Sequence, residues 1–368
     1  MVIYLKGEFM KKEREITYDI LKIFACLAVI LIHVLMYTMK SEVDLLTPRW
    51  QIANLLNATV RFCVPIFVMI SGAFLLSKEK PIPLKTLFKK YILKTFLIVI
   101  LASFFYRIID SIFITGTEMN FEYLKDAFFR SITGNGKFHL WYLVMLIPLY
   151  FFYPMLDKYV RNSSRKEIKY LLIVLLIFSI IIPTLNMIIN VNQIILPYRE
   201  LFLISAYLFY FLFGYYIYKY DFKKRTKIIS IILVPVGMLL IAISIYLSSR
   251  ARGTLYIFFE NNECFFVLLS SWGIFMLFKY YISKIKFNNK FKKIVSYLSS
   301  CVFGIYVIHV IIVELFVKHS LISFNRIREI AITPLYAVLI FIISLIIISA
   351  TNGIKFLFTY LVRKFKSL

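Results

Sequence analysis

The chain has 368 residues, 61% of them hydrophobic and 18% aromatic, with a mean hydropathy of +0.81. Soluble domains run at about 45–50% apolar residues, so this composition excludes an ordinary soluble protein and predicts a polytopic membrane protein. A net charge of +25 invites nucleic acid as a partner, but the placement of the charges excludes that reading.

Taken in order, apolar runs long enough to cross a bilayer fall at 16–39, 52–77, 91–116, 138–156, 170–189, 201–218, 228–248, 263–282, 295–317 and 332–358. They predict an all-α bundle of about ten transmembrane helices. The first run is too long for a signal-peptide core and has no small-residue cleavage site, so it reads as a retained anchor. The segments 1–15, 78–90, 157–169, 219–227 and 283–294, together with the tail, hold 27 Lys and Arg, whereas the loops on the other side hold 11. By the positive-inside rule both termini are cytoplasmic. The excess charge is then membrane orientation and attraction to anionic lipid, with no need for nucleic acid. No interhelical loop has room for a second soluble domain, so 1–368 reads as one integral-membrane domain behind a short cytoplasmic segment, 1–15. Four cysteines (Cys26, Cys63, Cys264, Cys301) stand singly without a CxxC pair and read as packing residues. Pro65, Pro148, Pro154 and Pro183 fall in or near spans, where they kink helices.

Polar residues inside these runs are the candidates for chemistry, because an ionisable side chain in a span is costly and faces the bundle interior or a cavity. On the first span, Asp19, Lys22 and His33 share a face. Lys22 and His33 are eleven residues apart, three turns and a little over at about 100° per residue, or roughly 16 Å along the axis. The topology carries His33 about 25 Å from the cytoplasmic start, and His139 and His309 fall at similar depth. Arg61 lies too deep in the second span to snorkel, whereas Lys22 is close enough to the interface to do so. Arg107 and Asp110, one turn apart, predict a local ion pair. Trp141 beside His139 suits an interfacial aromatic belt. The chain has no HExxH motif or carboxylate cluster, so no metal is expected.

Five segments carry a resemblance. YDILKIFACLAVILIH (18–33), RFCVPIFVMISGAFLL (61–76), KKYILK (89–94), FHLWYLVMLIPLYFFYP (138–154) and FGIYVIH (303–309) together resemble, in order, the segments of the integral-membrane acyltransferase family 3. The basic residue and histidine of that family's first helix correspond to Lys22 and His33. One difference matters: Lys22 stands where arginine is common, and lysine lacks the planar fork that binds phosphate or carboxylate bidentately.

The resemblance implies an O-acyltransferase of the bacterial plasma membrane. It would move an acyl group, usually acetyl, from cytoplasmic acyl-coenzyme A (acetyl-CoA) to a hydroxyl of a cell-surface polysaccharide or its lipid-linked precursor. In that reading His33, Arg61, His139 and His309 are catalytic, with His33 the general base or the carrier of a covalent acyl group. Lys22, Lys90, Lys94 and Asp19 serve the donor, and Trp141 and Tyr306 serve the acceptor. Arg61, His139 and Tyr306 are candidate donors to the oxyanion. The rival reading is a transporter or flippase of a lipid-linked glycan without acyl-transfer chemistry. It would favour internal repeats and paired broken helices, and neither is evident in the sequence.

Overall fold

The computed structural model describes residues 15–41, 47–133, 136–190, 203–322 and 326–366. Among them the fold is all helical. The helices are α1 (Ile16–Ser41), α2 (Pro48–Leu75), α3 (Leu84–Thr115), α4 (Phe121–Ile132), α5 (Phe138–Asn162), α6 (Arg165–Ile189), α7 (Leu203–Lys219), α8 (Lys224–Arg252), α9 (Phe258–Lys284), α10 (Asn289–Lys318), α11 (Ile327–Ala331) and α12 (Thr333–Lys366). Nine of the described helices are long and apolar enough to cross a membrane. The expected tenth, at 201–218, corresponds to α7, which has 17 residues; its first two expected positions, like the segment 1–14, lie outside the described residues.

Helix ends follow local chemistry rather than hydropathy. Ser164 and Glu167 form a reciprocal capping box, so α6 starts five residues before its apolar run. Asn288 caps α10 by accepting from the Phe291 amide, which likewise extends that helix past the expected 295. Thr47 caps α2 with Pro48 at the first helical position. α3 ends on Gly116 at φ 69°, in the left-handed region that glycine enters without a Cβ penalty. The loop expected at 117–137 contains α4, a 12-residue amphipathic helix capped by Asn120. At 12 residues it is too short to cross a membrane, and it rests on α3 with the Tyr123 hydroxyl donating to the Arg107 carbonyl at 2.8 Å.

Two prolines act where the sequence puts them. Pro65 has no N–H for the carbonyl four residues back, and that carbonyl belongs to Arg61. α2 accordingly breaks at Arg61–Phe62. Pro183 follows a widened π turn at Ile177–Ile181 in α6.

The core lies between α1, α2, α7, α9 and α10. α2 crosses α7 with almost no side chain between them: a Cβ on Gly72 would sit 1.7 Å from the Phe211 carbonyl oxygen, and one on Gly214 2.1 Å from that of Met69. Such small-residue crossings let backbones meet where lipid offers no hydrophobic drive to associate. The four cysteines are buried as free thiols. α1 is enclosed by α2, α10 and α12, and this arrangement turns its polar stripe inward.

Candidate active site

Three histidines from remote parts of the chain meet inside the bundle. The His33 ring on α1 lies 5.2 Å, centroid to centroid, from His309 on α10 and 6.3 Å from His139 at the start of α5. His139 and His309 are 5.3 Å apart. His139 and His309 are fully buried, whereas His33 is partly accessible. Phe138 packs its ring 5.3 Å from His33, and Tyr106 of α3 packs 5.0 Å from His139.

The backbone fixes two of the tautomers. His139 Nε2 lies 3.3 Å from the Val307 carbonyl, and His309 Nδ1 lies 2.7 Å from the Tyr306 carbonyl. A carbonyl only accepts, so each of those nitrogens carries the proton, and in the neutral ring the other nitrogen holds a lone pair. Those other nitrogens, His139 Nδ1 and His309 Nε2, are buried with no hydrogen-bond partner among the described residues, as is His33 Nδ1. Buried polar atoms are nearly always paired, so three unpaired imidazole nitrogens in one place mark a site kept ready for something else. Among the described residues no three His, Cys, Asp or Glu are placed to hold a metal ion. The Tyr306 hydroxyl donates to the His139 carbonyl, so it fixes the histidine's backbone rather than standing free beside a substrate.

Arg61 sits at the break in α2. Its Nη2 contacts Glu260 at 2.6 Å and the Asn57 side-chain oxygen at 2.5 Å, and the Asn57 amide donates to the same Glu260 at 2.7 Å. Its Nε is buried without a partner. Glu260 is a residue that reading the sequence missed. It lies in a loop-like stretch just ahead of the apolar run of α9, where nothing local ties it to Arg61. Asn57, one turn before Arg61 on α2, was the legible signal, being polar in an apolar run.

Lower on α1, Lys22 contacts Asp19 at 3.3 Å, and the Ser299 hydroxyl of α10 donates to Asp19 at 2.7 Å. Lys22 is 4% exposed and Asp19 1%, so Lys22 is enclosed rather than snorkelling. Its ammonium also lies 5.5 Å from the centre of the Phe74 ring. Lys94 is half-buried and Lys90 exposed near the start of α3. Neither approaches the histidines: counted back along α3 from Tyr106, Lys94 is twelve residues away, about 18 Å. The stripe on α1 puts Lys22 roughly 16 Å from His33, so both lysines lie well to the same side of the cluster. Trp141 is 42% exposed, does not meet the histidine rings, and packs against Tyr207.

Asp110, expected to pair with Arg107, is instead held by Lys137, at 2.8 and 3.0 Å to its two oxygens, and Lys137 also contacts Glu314 of α10 at 2.9 Å. The chain turns into α5 right after Lys137, which delivers this lysine to the end of α3. Sequence spacing along one helix cannot see a partner supplied by the next loop.

Fold and site together define a multi-pass membrane protein with an interior histidine centre. A family model described as "Acyltransferase domain", that of acyltransferase family 3, matches residues 15–351. The chain belongs to that family and is a membrane acyltransferase. No curated protein and no solved structure matches it.

Proposed function

We propose that this protein is an O-acyltransferase of the bacterial plasma membrane, with both termini cytoplasmic. It moves an acyl group of the acetyl type from cytoplasmic acyl-coenzyme A to a hydroxyl of a cell-surface polysaccharide or its lipid-linked precursor. The observation that carries this reading is the meeting of His33, His139 and His309 with their free ring nitrogens in one place.

His33, the accessible member, takes the proton from the attacking hydroxyl as its oxygen reaches the acyl carbonyl. His309, ring against ring with His33, and His139 present lone pairs that share that proton, and the backbone carbonyls behind them stabilise the charged imidazolium. The Arg61 contacts engage its Nη2, and its buried, unpaired Nε is an available donor to a developing oxyanion. Tyr306 acts by position, through the His139 backbone. The same geometry serves a direct transfer or an acyl-histidine intermediate. At the other end of the stripe, Lys22, Lys94 and Lys90 supply ammonium groups to the donor's phosphates, and Asp19 with Ser299 orients Lys22. The depth between Lys22 and His33 matches a donor that binds by its phosphates and extends an acyl-bearing arm inward.

The test is purified protein in lipid, incubated with labelled acetyl-CoA and a panel of glycan lipids. Label is expected in a glycan, and only when His33 is present. A His33→Ala protein that folds, binds donor and transfers at the normal rate would overturn the assignment.

A further inference from the structure

Beside the histidines a cleft of about 570 Å³ opens in the side of the bundle, within the range of about 300–1,000 Å³ usual for small-molecule sites. Val99 of α3 and Tyr207 of α7 form two sides, and the face of α5 from Phe138 to Leu149 forms the third. The lining is almost wholly apolar, and Gly136 and Lys137 close one end. Phe138, Trp141 and Val144 on this wall are exposed, so in a membrane-spanning bundle the mouth meets hydrocarbon rather than water. From Phe138 to Leu149 the wall runs about 17 Å. That is about one leaflet of a hydrocarbon core roughly 30 Å thick. The groove has the length and chemistry of one lipid chain lying from the interface to the midplane.

Its polar end selects the headgroup. Lys137 is held by two carboxylates, Asp110 and Glu314, so its ammonium is already neutralised and offers little to a phosphate. A carboxylate accepts about four hydrogen bonds, which leaves acceptor capacity for hydroxyl donors. Phe138 connects this groove to the chemistry, because it lines the cleft and packs against His33.

We infer that the groove seats the hydrocarbon chain of a glycolipid, with the sugar hydroxyls at Asp110 and Glu314 and the histidines just beyond. For its purpose the inference rests on the acyl-transfer reading, which it deepens by making the acceptor membrane-anchored. Binding is testable without turnover. The protein in phosphatidylcholine nanodiscs is irradiated with an alkyl glucoside carrying a diazirine in its chain, and the labelled peptides are mapped by mass spectrometry. Label is expected on residues 138–149. It should fall at least five-fold in Val144→Trp, which fills the groove, and stay unchanged in Ile243→Trp, an exposed apolar position that does not line it. Excess unlabelled alkyl glucoside should displace the probe, and phosphatidylglycerol of equal chain length should not. Equal displacement by phosphatidylglycerol, protection by acyl-CoA, or label spread evenly over the exposed helix faces would each overturn the inference. Specific labelling with no transfer to any acceptor would leave the groove standing and remove the acyl-transfer reading instead.

Discussion

At the scale of single residues, the site is held by groups that are each satisfied on one side and free on the other. His139 and His309 spend one nitrogen on a backbone carbonyl and keep the second uncommitted. Removing a general base typically costs about 10²–10⁴-fold in rate. His33→Ala is therefore expected to lower transfer by about that much with its melting temperature little changed, measured by label transfer and thermal unfolding in detergent. Tyr306 is different. Tyr306→Phe leaves the His139 carbonyl without its donor, so kcat should fall while the donor KM stays constant, a split that steady-state kinetics reads directly. Arg61 and Glu260 make a mostly buried pair, and breaking one partner of such a pair costs about 3–5 kcal/mol. Glu260→Gln should lower the unfolding midpoint sharply, and Arg61→Lys should not behave as wild type, because an ammonium cannot hold Asn57 and Glu260 in the guanidinium's geometry. A double variant, Arg61→Met with Glu260→Leu, should recover folding but not activity.

At the scale of elements, the helices are placed by a few contacts that admit no substitution. α2 and α7 touch at Gly72 and Gly214, where a single methyl would meet backbone atoms. Overpacking a tight core contact costs about 1–3 kcal/mol, and here the obstacle is a carbonyl that cannot rotate away. Gly72→Ala is expected to reduce the folded yield and melting temperature well beyond Gly116→Ser, whose position has open space around it and only a backbone preference to lose. The comparison is read by fluorescence size-exclusion chromatography after heating. The break of α2 at Arg61 follows from Pro65 alone and was legible in the sequence. The capping box that lengthens α6 and the Asn288 cap that lengthens α10 were also written there, but hydropathy passes over them because caps are polar.

For the whole molecule, topology is the testable property. Single cysteines at Lys80 and Lys286, in the Lys- and Arg-rich connections, should be labelled by an impermeant maleimide only after the cell is opened. A cysteine at Arg250, across the membrane by the alternation of spans, should label in intact cells. Labelling of Lys80→Cys from outside would reverse the donor and acceptor faces and with them the direction of transfer. The groove beside α5 belongs to this scale too, since three helices far apart in the chain build it.

The sequence by itself determined that the chain is helical and membrane-embedded, with about ten apolar runs of which nine are described helices long enough to cross, and it singled out three histidines and an arginine as candidates. These follow from hydropathy, charge bias and the spacing of polar residues on one helix, all of them local properties. The tertiary structure alone decided that the three imidazoles converge, which nitrogens are free, that Glu260 answers Arg61, and that Lys137 rather than Arg107 holds Asp110. Each of those depends on which faces of distant helices are pressed together, and that is settled by packing between elements 27 to 280 residues apart, to which no pattern along a single segment is sensitive.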